Sequence, residues 1–92
     1  MKKKNFDPYA CQLDMAAFGE RIRFCRRWEQ LSRDEVAELL NVSVQSVGLW
    51  ERGVKFPNMD NLMSIARLYE VTLDYLVFGD DPRPAYAAAL AA

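Results

Sequence analysis

The sequence predicts an all-α fold, a compact bundle of five helices, and three observations support this prediction. Between residues 14 and 79, apolar residues recur at intervals of three and four, which is the spacing of one helix face. The strict apolar–polar alternation that indicates a strand is absent from the sequence. Residues that favour helix starts stand just before the apolar runs: Asp14, Ser32, Ser43, Asn58 and Thr72.

Composition allows one domain and argues against an enzyme. A chain of 92 residues can bury one modest core, and this one contains no histidine, the commonest general base and metal ligand. Cys11 and Cys25 are too isolated for a zinc site, and no nucleophile–base pair or glycine-rich phosphate loop is visible. We therefore expect no catalysis, cofactor or metal. Without a secretory signal or a membrane-length apolar window, a cytoplasmic protein with no membrane partner is expected.

The first helix is predicted to follow a loose N-terminal segment. Residues 1–13 are expected to form a flexible arm, either a solubilising tail or a basic arm that touches phosphates. Asp14 is the expected N-cap of a helix that runs to residue 29 or 30. Its inward stripe is predicted to be Phe18, Ile22 and Cys25. Trp28 either continues this stripe or lies half-exposed beside the neighbouring arginines.

Two short helices joined by a tight corner are predicted between residues 32 and 53. Ser32 and Glu35 form a capping box at the start of helix 2, which runs to about residue 40. Asn41 stands at the corner, because asparagine tolerates the left-handed conformation better than most residues. Ser43 caps helix 3, which runs to residue 52 and is stopped by Gly53. Its expected inward residues are Val47 and Trp50, and this arrangement is typical of a helix-turn-helix.

Two further helices and a tail complete the chain. Asn58 is the expected N-cap of helix 4, which runs to about residue 69 and buries Leu62, Ile65, Ala66 and Tyr69. Thr72 caps a short helix 5 over residues 73–78, which directs Leu73 and Leu76 toward the core and stops at Gly79. The alanine-rich residues 80–92 are expected to form a C-terminal tail, which is either frayed or a short packed helix.

Four segments resemble, in order and spacing, the Cro/repressor-type helix-turn-helix family of bacterial and phage regulators, the xenobiotic-response-element family. They lie within residues 18–78, about two thirds of the chain, and read FGERIRFCRR, LSRDEVAELLNVS, VGLWERG and FPNMDNLMSIARLYEVTLDYL. The resemblance implies a lambda-repressor-like domain over residues 14–79. It also implies that the protein binds double-stranded operator DNA, usually as a homodimer.

The outward side of helix 3 carries the residues expected to contact DNA. In the resembled family, the positions that match Val44, Gln45, Gly48 and Leu49 face base edges. Gln45 suits sequence reading because its amide can bond adenine N6 and N7 together, whereas Val44 and Leu49 suit thymine methyl groups. Phosphate contacts are expected from Arg33, Ser43, Ser46, Arg52 and Lys55.

The charge distribution agrees with this placement. The net charge is −1, but residues 18–55 carry seven basic and six acidic side chains, whereas residues 56–92 carry two and five. The net negative charge therefore lies in residues 56–92, which are not expected to meet DNA.

The resemblance also assigns two structural features. Arg26 and Glu51 are expected to form a partly buried ion pair between helices 1 and 3. Dimerisation is expected around helix 5, through Tyr75, Val77 and Phe78. The alternative for Tyr75 and Phe78 is that both complete the core.

Three functions remain open at this point. The leading one is a sequence-specific transcriptional regulator, a repressor that binds a palindromic operator as a dimer. The second is an antitoxin of a toxin–antitoxin pair, whose partner would be a toxin. An antirepressor is an alternative protein partner. The third is a protein-interaction module that has lost DNA binding, which the apolar Val44 and Leu49 and the pI of 5.3 favour slightly.

Overall fold

The computed structural model describes residues 4–10 and 12–80. Within these residues the chain forms five α-helices and no strand, which confirms the all-α prediction. The helices are α1 (Met15–Trp28), α2 (Arg33–Leu40), α3 (Val44–Glu51), α4 (Met59–Tyr69) and α5 (Leu73–Phe78). Pro8–Ala10 add one turn of 3₁₀ helix that the sequence did not predict. Residues 1–3, 11 and 81–92 lie outside the description, and with them Cys11, most of the tail and part of the predicted arm.

Each α-helix begins at its predicted cap. The side chains of the five caps accept hydrogen bonds from backbone N–H groups three residues on, at 2.8–3.0 Å: Asp14, Ser32, Ser43, Asn58 and Thr72. These bonds satisfy amides that would otherwise lack a partner in the first turn. α3 ends at Glu51, one residue earlier than predicted.

A left-handed residue follows each of the five helices, directly after α2, α4 and α5 and one position later, at Gln30 and Gly53, after α1 and α3. Asn41, at φ 55°, and Gly79, at φ 83°, occupy this conformation, as the sequence predicts. Glu70 also adopts it, at φ 55°, and ends α4. The cap at Glu70 could not be predicted from sequence, because glutamate rarely adopts positive φ.

The core gathers the predicted apolar faces of all five helices. Phe18, Ile22 and Cys25 of α1 are buried against α3, α4 and α5, and Val47 and Trp50 of α3 are buried as predicted. The remaining buried apolar residues are Val36, Ala37, Leu62, Ile65, Ala66, Tyr69, Val71, Tyr75 and Leu76.

The prediction that Leu73 faces the core is wrong, since 39% of this residue is exposed. In a helix of six residues only one side can be buried, and Tyr75 and Leu76 occupy it. Leu73 precedes Tyr75 by two positions, which places it about 200° around the helix axis. Its side chain lines a shallow groove beside Met63 and Val71 instead.

Two close approaches fix α3 and α5 on α1. A Cβ on Gly19 would lie 2.7 Å from the Trp50 carbonyl oxygen and closer still to that of Glu51, so the backbones of α1 and α3 meet there. Arg21 Nη1 donates hydrogen bonds to the carbonyl oxygens of Leu76, at 3.0 Å, and Val77, at 3.3 Å. These carbonyls at the end of α5 would otherwise lack helical partners.

The longest described helix, α1, has 14 residues. None of the helices in the described ranges has the length and apolar character needed to cross a bilayer.

Candidate nucleic-acid interface

The corner between α2 and α3 sets the direction of α3. Asn41 adopts the left-handed conformation, and its N–H donates to the Glu38 carbonyl at 3.2 Å. The N–H of Val42 donates to the Ala37 carbonyl at 2.9 Å, and Ser43 then caps α3. The turn therefore satisfies its own backbone groups while it reverses the chain. The two helices pack closely, as a helix-turn-helix requires.

One side of α3 is buried and the other is open. Val47 and Trp50 anchor the buried side in the core. On the open side, Val44 is 45% exposed and Gln45 is exposed. Nothing lies within 4 Å of a Cβ added to Gly48, so this face has no covering side chain or backbone at its centre.

Leu49 differs from its expected exposure beside Val44, because it is half-buried. The loop after α3 turns at the end of the helix, where its Val54 and Lys55 N–H groups donate to the Leu49 carbonyl at 2.9 and 3.3 Å.

A shallow depression joins the start of α2 to the open face of α3. It is lined by Arg33, Val44, Gln45, Gly48 and Arg52. The depression thus combines two guanidinium groups with an amide, the methyl groups of Val44 and the bare backbone at Gly48. Guanidinium groups bind phosphate oxygens, and an amide can bond a base edge, so this set suits a surface that is both anionic and patterned.

The other predicted phosphate ligands lie outside the depression. The Ser43 and Ser46 hydroxyls are 2.9 Å from each other, and the Ser43 oxygen also accepts the Ser46 N–H at 3.0 Å. Lys55 is exposed in the loop after α3. The structure therefore brings Arg33 and Arg52 together with Gln45, while the serines and Lys55 flank them along the chain.

The predicted ion pair between α1 and α3 is confirmed. Arg26 Nε donates to Glu51 Oε2 at 2.7 Å, and Arg26 Nη2 donates to Glu51 Oε1 at 3.1 Å. Arg26 Nη1 donates to the Leu31 carbonyl at 2.9 Å, just before α2. The hydrogen bond to Glu51 raises the pKa of the Arg26 guanidinium above its ordinary value.

Sequence reasoning missed a second arginine on the same carboxylate. Arg33 Nε donates to Glu51 Oε1 at 3.2 Å. Arg33 and Glu51 are 18 positions apart in sequence, and no local pattern links them. Only the packing of α2 on α3 brings them together.

The three residues expected at a dimer contact are placed differently from one another. Tyr75 is only 1% exposed and lies in the core, so it does not form a surface contact in the folded chain. Burial raises the pKa of its phenol to about 12, and burial likewise raises the pKa of the Cys25 thiol to about 12. Val77 is half-buried, whereas Phe78 is 56% exposed.

Comparison with known sequences identifies relatives over the same part of the chain. A family model described as Helix-turn-helix matches residues 22–76. The uncharacterized HTH-type transcriptional regulator YobD of Bacillus subtilis (strain 168) is 36% identical over 68 residues, which cover 73% of this chain and 61% of YobD. The HTH-type transcriptional activator BcrR of Enterococcus faecalis is 34% identical over 64 residues, which cover 70% of this chain and 31% of BcrR. The chain thus spans less than two thirds of either relative.

A solved structure shows the same architecture. It is the crystal structure of the P22 c2 repressor protein in complex with synthetic operator 9T. It superimposes on this chain with a TM-score of 0.66 at 32% sequence identity, and covers 68% of this chain and 96% of the repressor chain. The likeness supports the lambda-repressor-like fold that the sequence predicts.

Proposed function

We propose, because this chain belongs to the helix-turn-helix family, that it is a transcription regulator that binds double-stranded DNA through α3. The observation that carries this proposal is the open face of α3, where the exposed Gln45 shares a depression with two arginines, Arg33 and Arg52. This face meets the needs of a major-groove reader, since it combines a base-reading amide with flanking phosphate ligands. A related protein, the P22 c2 repressor, has been solved with operator DNA.

Base reading is assigned to four residues of α3. Gln45 would bond adenine through both atoms of its amide, and Val44 would contact a thymine methyl group. Gly48 would let the α3 backbone approach the bases closely, because no side chain stands there. Leu49, which is half-buried, would contribute only the exposed part of its side chain.

Phosphate binding is assigned to the residues around that face. Arg33 and Arg52, which both line the depression, would bind phosphates as charge-assisted donors. Ser43 and Ser46 would contribute hydroxyls near the start of α3, and Lys55 would contribute a cation after its end. Such contacts fix the position of the protein on the duplex without reading its sequence.

We further propose that the regulator acts as a homodimer on a palindromic operator. Two copies of α3 would then enter successive major grooves about one helical turn apart. Phe78 and Val77 at the end of α5 would supply an isologous contact, with Tyr75 supporting them from the core. We propose that it acts as a repressor, the role that the name of the P22 protein gives to that protein, and that it does so by occluding the promoter.

Fluorescence anisotropy tests this proposal. The full chain is titrated against duplexes selected from a randomised pool and against unselected duplexes, each at two salt concentrations. We expect selected duplexes to bind at least about 10³-fold more tightly, with affinity that falls as salt rises. Gln45→Ala should cost about 1–3 kcal/mol on the selected duplex and little on random DNA.

Ser64→Ala, on the exposed side of α4, is the matched control and should bind as the parent does. The proposal fails if no sequence is enriched from the pool. It also fails if Gln45→Ala and Ser64→Ala discriminate between the two kinds of duplex equally well.

A further inference from the structure

We infer that Glu51, although buried, is a positioning residue for DNA binding, because it holds Arg33 in the orientation in which Arg33 meets a phosphate. This inference rests on the proposed function, since it requires that Arg33 touch DNA. It goes further by giving the buried ion pair a second role. The carboxylate that ties α1 to α3 would also prepare a surface arginine for its ligand.

The first support is that Arg33 uses only one of its three nitrogens for a hydrogen bond to Glu51. Its Nε donates to Glu51 Oε1 at 3.2 Å. Its side chain is 45% exposed, whereas that of Glu51 is 2% exposed. Within residues 4–10 and 12–80, the two terminal nitrogens of Arg33 make no hydrogen bond. A guanidinium group has its donors in a rigid plane, so fixing Nε also fixes the direction of both terminal nitrogens.

The second support is the division of roles between the two arginines on Glu51. Arg26 uses all three of its nitrogens inside the protein, two on Glu51 and one on the Leu31 carbonyl. Its side chain is 10% exposed, so its remaining N–H groups have little access to a duplex. Arg33 is the partner whose remaining donors lie at the surface. Two cations share one anion, and the excess positive charge therefore lies at Arg33, beside the depression.

The third support is the position of Arg33 in the depression beside α3. Arg33 lines the depression together with Gln45, Gly48 and Arg52. A phosphate bound there would meet a side chain that is already oriented. A long side chain ordered before binding loses less rotamer freedom when the ligand arrives, which increases affinity without any new contact. Lysine cannot replace this arrangement, because its single ammonium group cannot hold Glu51 through one edge and present a fork to phosphate.

The test compares substitutions of Arg33 in the full chain, with a random-sequence fluorescent duplex at several salt concentrations. Arg33→Ala should lower affinity about tenfold and reduce the slope of log affinity against log salt by about 0.9, the value for one phosphate contact. Arg33→Lys keeps the charge and should keep the slope, but should still bind at least about threefold more weakly than the parent. Arg67→Ala and Arg67→Lys, on the exposed side of α4, are the matched controls and should change neither quantity.

A double-mutant cycle isolates the contribution of Glu51. Glu51→Gln preserves shape and removes the charge, and circular dichroism at the assay temperature establishes whether the variant is folded. We expect Glu51→Gln to weaken DNA binding several-fold in the parent and to have no further effect in the Arg33→Ala background. Equal weakening in both backgrounds would assign Glu51 a purely structural role and overturn the inference.

A measurement on the unmodified chain covers the case in which Glu51→Gln does not fold. The Nε–H of Arg33 should exchange with water at least about tenfold more slowly than that of Arg67 in the free protein, because a hydrogen bond to a buried carboxylate protects it. Equal exchange rates would contradict the inference, as would an Arg33→Lys variant that binds DNA as tightly as the parent. Failure of the parent to bind any duplex would instead contradict the proposed function.

Discussion

At the scale of single residues, two glycines have opposite surroundings. Gly19 lies in α1 where the α3 backbone passes, and an added Cβ would collide with the Trp50 and Glu51 carbonyls. Gly48 lies in α3 with open space around it. The sequence shows only that both interrupt helices, since the space around a residue depends on packing between distant segments. The fold therefore requires a glycine at Gly19, whereas the helix surface at Gly48 is open to a ligand.

Alanine substitutions should therefore have opposite effects on stability. Gly48→Ala should raise the free energy of unfolding by up to about 1 kcal/mol, because alanine is the better helix former. It should also weaken DNA binding if the α3 backbone approaches the bases. Gly19→Ala should instead lower the free energy of unfolding by about 1–3 kcal/mol through overpacking. Urea titration measures both, and a loss of stability in Gly48→Ala would contradict the open surface.

The buried carboxylate gives a second prediction at this scale. Glu51→Ala would leave Arg26 buried without its charged partner, so we expect a loss of about 3–5 kcal/mol of unfolding free energy. Arg33→Ala removes the more exposed partner of the same carboxylate and should cost at most about 1 kcal/mol. Thermal unfolding of both variants measures the difference. An unchanged melting temperature for Glu51→Ala would mean that the ion pair contributes nothing.

At the scale of elements, the sequence is informative because helix starts and faces are local. Five capping side chains and the stripe from Phe18 to Cys25 act within one or two turns, so their patterns can be read directly. The exposed side of α3 could be predicted for the same reason, once Val47 and Trp50 were assigned to the core. Leu73 was misplaced because a helix of one and a half turns has too few residues to define a face. The contact between Arg33 and Glu51 joins two elements and could not be predicted.

The capping box of α2 predicts a pH effect. The Ser32 N–H and hydroxyl hydrogen-bond the Glu35 carboxylate and lower its pKa below the ordinary 4.5. A carboxyl whose pKa is lowered by folding adds stability above its unfolded pKa and loses that stability as pH falls through its folded pKa. Glu35→Gln should therefore reduce the acid-induced drop in melting temperature between pH 5 and about pH 2.

Two comparisons make the capping prediction specific. Glu38→Gln changes an exposed glutamate of the same helix that lies outside the capping box. This variant should keep more of the acid-induced drop in melting temperature than Glu35→Gln does. Ser32→Ala removes the hydroxyl and should cost about 0.5–2 kcal/mol at pH 7. Equal pH profiles for the two glutamine variants would show that the capping box does not hold Glu35 in solution.

For the whole molecule, the open face of α3 lies beside two arginines, whereas residues 56–92 carry the net negative charge. A net charge of −1 therefore agrees with binding to DNA on one side, since the local potential guides association. The difference in net charge between the two parts of the chain could be predicted from the sequence, because the net charge of a segment depends only on the residues in it. The depression itself required the structure, since α2 and α3 each contribute to it.

The proposed dimer gives a prediction at the same scale. Phe78 is a large exposed apolar side chain at the end of α5, so Phe78→Ser should shift the protein toward monomer without loss of helix content. Met63→Ser, at an exposed position of α4, is the control and should leave the association unchanged. Sedimentation equilibrium measures both. Dimers of equal strength in the two variants would place the contact elsewhere, and a monomeric parent would contradict the dimer.

Chemical-shift mapping shows whether the open face of α3 binds DNA. The isotope-labelled 92-residue chain is titrated with a duplex selected from a random pool, and amide signals are followed residue by residue. We predict that the largest shifts fall on Arg33, Val44, Gln45, Gly48 and Arg52, while the exposed side of α4 changes little. Shifts concentrated on α4, or none near α3 at saturating DNA, would rule out DNA binding through this face.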